Sequence, residues 1–146
     1  MATSDGNQWN QRIIDEFRAN EGRVGGDFAG APMVLLHHRG RKSGEEYVSP
    51  LMYQADDADP DTIYVFGSAA GRPEHPAWYR NLVAADTATV EVGTEKYQVS
   101  VHEVTGEERD RIYAEQVRRY RGFGEYEEKT AGIRTIPVVA LKRVTL

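Results

Sequence analysis

The sequence predicts an α+β protein whose antiparallel strands form a barrel or a sandwich with helices appended. About six short runs rich in β-forming residues follow one another in hairpin order and do not alternate with long helices, as they would in a βαβ fold. One pair, residues 88–92 and 97–104, alternates between apolar and polar side chains around the turn sequence Gly-Thr-Glu-Lys. A length of 146 residues is typical of a single domain.

An amphipathic helix is predicted near the N-terminus, over residues 8–19. Three of its large apolar side chains recur at four-residue spacing and therefore share one helical face. These are Trp9, Ile13 and Phe17. Gly22 follows as a predicted C-terminal cap. Residues 1–30 are thus expected to form a helix and a linker in front of the main body, residues 31–146.

The main body is expected to contain strands and two further helices. One helix is predicted from Pro76 to Ala85, because proline is tolerated at the first helical position. Thr105 and Glu108 form a capping box that predicts another helix, ending at about Tyr120. In chain order, the predicted strands are residues 33–37, 47–53, 62–67, 88–92, 97–104 and 135–144.

Two segments near the C-terminus have unusual compositions. Residues 121–132 are rich in glycine and aromatic side chains and are expected to be irregular. Pro137 lies inside the last predicted strand and lacks an N–H group. That strand is therefore expected at a sheet edge or at a bulge.

The composition and the motifs exclude several kinds of site. The chain has no cysteine, so it has no disulfide and no thiolate metal site. His37 and His38 are adjacent in a predicted strand and point to opposite faces, which disfavours a shared metal ion, and no HxH or HExxH spacing occurs. The sequence also lacks G-x-S-x-G, Walker and G-x-G-x-x-G motifs. Any chemistry is therefore expected to come from a cofactor.

Charge and hydropathy limit the expected partners and location. The 23 acidic and 18 basic residues give a net charge of −5, which argues against nucleic-acid binding. The N-terminus lacks the pattern of a signal peptide, and no run approaches the ~18 apolar residues that would cross a bilayer. A cytoplasmic protein is expected.

A compact basic loop interrupts this acidic chain between the first two predicted strands. Arg41 offers a planar fork of donors and Lys42 a point charge, and Ser43 adds a hydroxyl group. Gly40 and Gly44 allow close approach of the backbone to a ligand. These residues indicate a site for phosphate or carboxylate groups. The alternative is a solvated loop whose glycines only form the turn.

Residues 67–82 form a second candidate segment. A loop of small residues is followed by a helix that starts at Pro76, where backbone N–H groups favour anions. The alternative is an ordinary connection that places Trp78 and Leu82 in the core.

The aromatic residues near the C-terminus form a third candidate segment. Tyr120, Phe123 and Tyr126 lie beside glycines, which suits a mobile wall over a flat ring. The alternative is that these side chains fasten a long loop to the body of the protein.

Three stretches together resemble the deazaflavin-dependent nitroreductase and quinone reductase family, which uses coenzyme F420. In order, they are PMVLLHHRGRKSGEEYVSPLMY, YVFGSAAGRPEHPAWYRNLVAADTATVEV and RTIPVVALKRV, and they span nearly all of the chain from Met33 to Val144. The G-R-K-[ST]-G loop and the later H-P-x-W-Y-x-N-L motif are specific in combination, although neither is specific alone.

The resemblance implies a split β-barrel related to that of FMN-binding reductases, with the coenzyme in a groove on the barrel. Arg41, Lys42 and Ser43 would hold its phosphate and its polyglutamate tail. The other residues that the resemblance places along the groove and the deazaflavin ring are His38, Gly40, Gly44, Val48, Pro50, Leu51, Gly67, Ser68, Ala69, Ala70, Gly71, His75, Pro76, Ala77, Trp78, Asn81 and Leu82.

The resemblance also implies hydride transfer from the reduced deazaflavin to a small acceptor, such as a quinone or a nitro-aromatic compound. Ser68, Tyr120 and Tyr126 are expected to protonate or polarise that acceptor, although this aromatic segment is where family members diverge. One rival interpretation replaces the coenzyme by FMN, whose single phosphate has less use for several cations in one loop. Another is a non-catalytic cofactor-binding module. A homodimer is expected by analogy, with at most loose membrane association through the N-terminal helix.

Overall fold

The computed structural model describes residues 3–4 and 8–144, in which one curled sheet is accompanied by four α-helices. The strands are β1 (Thr3–Ser4), β2 (Met33–Arg39), β3 (Glu46–Met52), β4 (Gln54–Ala55), β5 (Thr62–Phe66), β6 (Thr87–Val92), β7 (Glu95–Val104) and β8 (Val138–Arg143). The helices are α1 (Gln8–Ala19), α2 (Ala77–Ala85), α3 (Gly106–Arg119) and α4 (Gly122–Thr130), with 3₁₀ turns at Gly26–Phe28 and Ala69–Gly71.

The sheet is ordered β1-β3-β2-β6-β7-β8-β5-β4. Every pair of strands is antiparallel except β1 with β3. Strands β3 and β5 contact each other although four strands separate them in this order, because the sheet curls into a half-barrel. The predicted α+β split-barrel fold is confirmed. The predicted hairpin is also confirmed as β6 and β7, which are joined at Gly93 and Thr94.

Apolar side chains hold the helices to the sheet. Helix α2 packs on the barrel interior through Trp78 and Leu82. Helices α3 and α4 pack through Tyr113 and Phe123 in a separate cluster with residues of β5, β7 and β8. Helix α1 packs through Phe17. Burying each such side chain contributes about 1.5–3 kcal/mol. The strand residues that fill the barrel interior are Val34, Leu36, Ile63, Val65, Val90, Val99, Val139 and Leu141.

Helix α1 has the bounds and the apolar face that the sequence predicts. Ile13 and Phe17 are buried, whereas the Trp9 side chain lies outside the described residues. The backbone turns left-handed at Glu21 (φ 57°), and the N–H of Gly22 then donates to the carbonyl of Phe17 at 2.8 Å. The left-handed cap is therefore Glu21, one residue before the predicted Gly22, and Gly22 closes the helix end through its N–H group. Among the described residues, no helix combines the length and the apolar character needed to cross a bilayer.

The segment expected to be irregular contains helix α4, so that prediction is wrong. Gly122 and Gly124 have low helix propensity, which made the helix hard to detect in the sequence. Phe123 and Thr130 are buried on the inner face of α4. Tertiary packing therefore stabilises a helix that local propensity disfavours.

The prediction of an edge or bulged position for the last strand is also wrong. Strand β8 lies inside the sheet, paired with β7 on one side and with β5 on the other. The strand begins at Val138, directly after Pro137, so the missing N–H group of the proline falls outside the ladder.

Two helix starts differ in detail from their predictions. Helix α2 begins at Ala77 and Pro76 is its N-cap, one position earlier than expected. Thr105 is the N-cap of α3, but its side chain makes no capping hydrogen bond, so the predicted capping box does not form. Gly106, the first residue of the helix, has a φ of 67°, so the chain does not enter the helix with the backbone geometry of a capping box.

A charged cluster joins α1 to the sheet. Arg18 donates to both carboxylate oxygens of Glu91, at 3.2 and 2.8 Å. Nε2 of His37 lies 2.6 Å from the same carboxylate, and its Nδ1 lies 3.3 Å from Glu46. Burial raises the pKa of Glu91, but the hydrogen bonds from Arg18 and His37 outweigh it and leave that pKa below its usual value. The folded state therefore favours the Glu91 carboxylate.

Replacing Glu91 with glutamine is expected to lower the free energy of unfolding by about 1–3 kcal/mol at neutral pH. Because the folded-state pKa is depressed, this contribution is present above the ordinary pKa of 4.5 and disappears as the pH falls below it. Denaturant titrations at pH 7 and in mild acid would measure the difference. Glu95→Gln is the control, because Glu95 is exposed and, among the described residues, forms an ion pair only with Arg143 at the surface. If the difference in free energy of unfolding between the wild type and Glu91→Gln did not change with pH, this account would be contradicted.

Candidate functional site

The basic loop between β2 and β3 is a closed turn with a defined shape. The N–H of Gly40 donates to the carbonyl of Glu45, and that of Gly44 to the carbonyl of Gly40, both at 2.8 Å. A Cβ atom at Gly40 would lie 2.6 Å from Oγ of Ser43, and Gly44 has a φ of 75°. The positive φ of Gly44 favours glycine at that position, whereas a side chain at Gly40 would require the Ser43 hydroxyl group to move. This agrees with the turn-forming role of the alternative interpretation and does not exclude ligand binding.

A chain of hydrogen bonds connects this loop to the core. The backbone N–H of Arg41 donates to Oδ1 of Asn81 at 3.1 Å. Nδ2 of Asn81 then donates to Nδ1 of His38 at 2.9 Å, and Nε2 of His38 lies 2.8 Å from Oγ of Ser49. Because Nδ1 accepts a hydrogen bond, the neutral ring carries its proton on Nε2. His38 and Asn81 are both buried and support the loop from beneath, while His37 faces the opposite side as predicted.

Replacing Asn81 with alanine is expected to lower the free energy of unfolding by about 1–3 kcal/mol, because it leaves the buried His38 Nδ1 atom without a donor. The loop should also become more mobile, since the N–H of Arg41 loses its acceptor. Chemical denaturation would measure the first effect and amide hydrogen exchange of residues 40–45 the second. Asn20→Ala is the matched control, because Asn20 is exposed and donates only to the end of α1. Equal effects of the two changes would contradict this role of Asn81.

The two cations at the tip of the loop are not neutralised by the protein. Arg41 and Lys42 are exposed, and within residues 8–144 neither side chain has a hydrogen bond or an ion pair. The nearest acidic neighbour in sequence, Glu45, accepts a hydrogen bond from the hydroxyl group of Tyr47 at 2.9 Å. Ser43 is also exposed, and its Oγ accepts only the N–H of Glu45, at 3.2 Å. The loop therefore presents uncompensated positive charge on an acidic protein.

The three residues predicted to lie beneath the ring do not share one face of β3. Val48 is buried under α1, and strand alternation places Pro50 on the same side of the sheet. Leu51 packs instead against the barrel interior. Their predicted common surface is therefore divided between two faces by the pleat of the strand. In this arrangement the side chain of Val48 is 3% exposed and is not accessible to a ligand.

The second candidate segment forms a tight left-handed turn after β5. Ala69, Ala70 and Gly71 have φ values of 47°, 54° and 81°. A Cβ atom at Gly71 would lie 2.8 Å from the Lys129 side chain and 3.4 Å from Cα of Tyr126, so α4 packs directly on this turn. The fold therefore brings together two segments that are far apart in the sequence.

Three hydroxyl groups, from the turn, from α4 and from the end of α3, have no partner in the part of the chain that the structure describes. They belong to Ser68, Tyr120 and Tyr126, the residues predicted to act on the acceptor. By contrast, the hydroxyl group of Tyr113 donates to the carbonyl of Phe123 at 2.6 Å. Phe123 is buried and packs edge to face with Tyr126, with ring centroids 5.4 Å apart, in agreement with the packing interpretation for Phe123.

The remaining predicted residues of the second segment have mixed environments. Trp78 and Leu82 are buried in the barrel core, as the alternative interpretation for residues 67–82 states. Pro76 caps α2, and Ala77 is exposed at the start of that helix. His75 is partly buried and accepts a hydrogen bond from Arg134.

Arg134 is a residue of the candidate site that the sequence reasoning missed. It lies between α4 and β8 and donates hydrogen bonds to the loop that follows β5. Its only sequence signal is an arginine four residues before a buried strand, and its contacts span up to 67 residues. Local patterns do not reveal contacts at such a separation.

A family model described as F420H(2)-dependent quinone reductase matches residues 9–143. The chain belongs to this family. A Mycobacterium tuberculosis protein that provisionally carries the same name is 35% identical over 111 residues, which cover 76% of this chain and 89% of the relative. The resemblance inferred from the basic loop and the later motif is thus confirmed.

Two solved structures resemble this quinone reductase family member closely. One is an F420-H2 dependent reductase, with a TM-score of 0.66 and 33% identity, covering 76% of this chain and 94% of that one. The other is described as a domain-swapped dimer, with a TM-score of 0.67 and 30% identity, covering 92% of this chain and 96% of that one.

The residues of the site fit coenzyme F420, the cofactor in the name of the family. Two uncompensated cations in a glycine-containing loop suit a ligand with a phosphate and several carboxylates. Ser68, at the start of the left-handed turn, and Tyr126, on α4, carry hydroxyl groups that have no partner among the described residues and could donate to an acceptor. FMN has one phosphate and no glutamate tail, so it uses less of this charge.

Proposed function

We propose that this protein binds reduced coenzyme F420 and catalyses the reduction of a quinone by hydride transfer. Membership of the quinone reductase family supports the reaction class. The proposal rests on one observation in this chain. Arg41 and Lys42 have no hydrogen bond or ion pair among the described residues, and their loop is fixed to the core through Asn81. Exposed cations on a chain with a net charge of −5 favour binding of an anionic ligand at this loop.

In this proposal the loop holds the charged end of the coenzyme. Arg41 binds the phosphate with its guanidinium fork, and Lys42 attracts the carboxylates of the tail. Ser43 and the backbone at Gly40 and Gly44 approach the same groups closely. His38 acts indirectly, because its buried ring supports Asn81 beneath the loop.

The left-handed turn lines the flat ring in the same proposal. Residues 67–71 lie at the end of β5 with α4 packed on them, so this turn would line one side of the ring. The bound coenzyme supplies a hydride ion with two electrons. The protein then has to orient the acceptor, exclude water and provide the proton that completes reduction to the hydroquinone.

Unpaired hydroxyl groups are the proposed donors to the acceptor. Tyr126 and Ser68 belong to the two segments in direct contact, and Tyr120 lies at the end of α3, close in sequence to Tyr126. A tyrosine hydroxyl group is protonated at neutral pH and donates a hydrogen bond to a carbonyl oxygen. Such a donor stabilises the negative charge that develops on a quinone oxygen during hydride transfer.

One experiment tests both the cofactor and the reaction. Purified protein is titrated with coenzyme F420 and separately with FMN, while tryptophan fluorescence is followed. Oxidation of the reduced coenzyme is then measured with a panel of quinones and nitro-aromatic compounds. We expect binding of the deazaflavin and oxidation by quinones. Tight FMN binding without a response to the deazaflavin would refute the proposal.

The acceptor panel also decides between the remaining alternatives. Reduction of nitro-aromatic compounds in preference to quinones would assign a nitroreductase. Deazaflavin binding with no oxidation by any acceptor would favour the non-catalytic module considered from the sequence.

Assembly and location are further parts of the proposal. A relative of known structure is described as a domain-swapped dimer, which supports a homodimer for this chain. Light scattering after size-exclusion chromatography would measure the mass of the assembly. We also propose a cytoplasmic location with at most loose membrane association, which fractionation of cells would test.

A further inference from the structure

Arg134 donates hydrogen bonds from all three of its side-chain nitrogen atoms to the loop that follows β5. Its Nη1 donates to the carbonyl of Gly67 and to Nδ1 of His75, both at 2.9 Å. Its Nη2 donates to the carbonyl of Ser68 at 2.8 Å, and its Nε to that of Arg72 at 3.1 Å. No carboxylate takes part in these contacts. A planar guanidinium group is the side chain that can serve so many acceptors at once.

The loop needs such an external support because its backbone is strained. Ala69 and Ala70 both have a positive φ, which is unfavourable for residues that carry a Cβ atom. Beyond the turn's own hydrogen bonds, the N–H of Gly67 donates to the carbonyl of Pro137 at 2.9 Å. The contacts with Arg134 therefore supply much of what holds this turn to the body of the protein.

The same arginine fixes the tautomer of His75 and contributes to its lowered pKa. Nδ1 accepts the hydrogen bond from Arg134, so the neutral ring carries its proton on Nε2. Burial lowers the pKa of His75, and the positive charges of Arg134 and Arg80 lower it further, against a smaller opposing effect of Glu103. The ring of Tyr79 lies against the imidazole, with centroids 5.0 Å apart. No residue within the described part of the chain accepts a hydrogen bond from Nε2.

We propose that Arg134 is a positioning residue of the coenzyme site. It holds residues 67–72 in their left-handed turn, and it fixes the His75 tautomer whose Nε2–H donates to a carbonyl oxygen of the bound deazaflavin. This inference rests on the proposed function only in its last step. The effect of Arg134 on the loop and on His75 is a property of the protein without ligand.

The first test uses the protein without coenzyme. Arg134→Met should accelerate amide hydrogen exchange in residues 67–75 by about tenfold or more, as expected for a local opening that becomes easier. The pKa of His75, followed by NMR, should rise towards its ordinary value, and its nitrogen shifts should show a mixture of tautomers. Arg118→Ala is the control, because Arg118 is exposed and, in the described part of the chain, forms an ion pair only with Glu115. Unchanged exchange and an unchanged tautomer in folded Arg134→Met would overturn the proposal.

Arg134→Lys separates the charge from the shape of the guanidinium group. Lysine keeps a positive charge near His75, so the pKa of His75 should stay low. A single ammonium group cannot reach all the acceptors, so exchange in the loop should still accelerate. Exchange as slow as in the wild type would show that charge alone suffices, which would overturn the role of the donor fork. If Arg134→Met does not fold, the hydrogen-exchange test can be made with Arg134→Lys instead.

Two substitutions of His75 then test the contact with the coenzyme. In His75→Asn, Oδ1 can replace Nδ1 as the acceptor of Arg134, but nothing replaces the Nε2–H donor. We expect normal exchange in the loop and a coenzyme affinity that is about tenfold lower, the effect of losing one hydrogen bond in the site. His75→Ala should both accelerate amide exchange in the loop and lower the affinity for the coenzyme. Wild-type affinity in His75→Asn would overturn the Nε2 contact. Failure of the wild type to bind coenzyme at all would refute the proposed function and leave the action of Arg134 on the loop intact.

Discussion

Replacing Arg41 and Lys42 together with alanine is expected to lower the affinity for coenzyme F420 by about 10- to 100-fold. A charge-assisted hydrogen bond contributes about 1.5–3 kcal/mol, and each 1.4 kcal/mol corresponds to a factor of about ten in affinity. The lower end applies here because both side chains are exposed to solvent. The loss should be larger for long polyglutamate tails than for short ones, since Lys42 is proposed to bind the tail. Fluorescence titration with coenzyme of defined tail length would measure both effects.

The matched control removes the same charge from the other end of the sheet. Arg23 and Lys96 are both exposed and lie near the turn between β6 and β7, beyond the opposite end of β2 from the basic loop. Their double replacement by alanine should leave the affinity unchanged except for a small effect of net charge. If both double variants weaken binding equally, the basic loop acts only through long-range electrostatics. If neither does, the loop is only a turn.

Replacing Tyr126 with phenylalanine is expected to reduce turnover by about 100-fold while changing coenzyme affinity little. The hydroxyl group of Tyr126 has no partner among the described residues, so its removal should not disturb the packing of the ring against Phe123. Removing one donor that stabilises developing charge typically costs about 10²–10³ in kcat. Steady-state kinetics with a quinone acceptor, together with a coenzyme titration, would separate the two effects.

Tyr113→Phe is the control for this substitution. The hydroxyl group of Tyr113 is buried and donates to the carbonyl of Phe123, so its loss should lower stability and leave turnover nearly unchanged. Equal losses of turnover and coenzyme affinity in Tyr126→Phe would show that Tyr126 only packs. Should turnover persist in full, Ser68 or Tyr120 would become the preferred donor, and Ser68→Ala and Tyr120→Phe would test them in the same way.

The parts of the candidate site that the sequence revealed are those encoded locally. The basic loop is visible because its charges and glycines are neighbours in the chain and contrast with an acidic composition. The unpaired hydroxyl groups of Ser68 and Tyr126 were named through the family resemblance, while their proximity follows only from α4 packing on the left-handed turn. Arg134 remained hidden because a single arginine gives no sign of which distant carbonyl groups it will meet.

Two errors about secondary structure have related causes. Helix α4 is stabilised by the burial of Phe123 and Thr130, which outweighs the low propensity of its glycines. Strand β8 can lie inside the sheet because Pro137 falls just before its first paired residue. In both cases the deciding interaction is between segments, and local patterns do not report it.

The sequence by itself therefore determined the fold class, the hairpins, the family and the charged end of the proposed coenzyme site. The fold class, the hairpins and the charged end rest on periodicity, turn chemistry or composition within short stretches, and the family rests on motifs combined along the chain. Only the tertiary structure decided which side of β3 is accessible, how His38 and Asn81 support the basic loop, and how Arg134 holds the left-handed turn. Those features depend on burial and on hydrogen bonds between residues far apart in the chain, and such contacts exist only once the sheet has curled and the helices have packed on it.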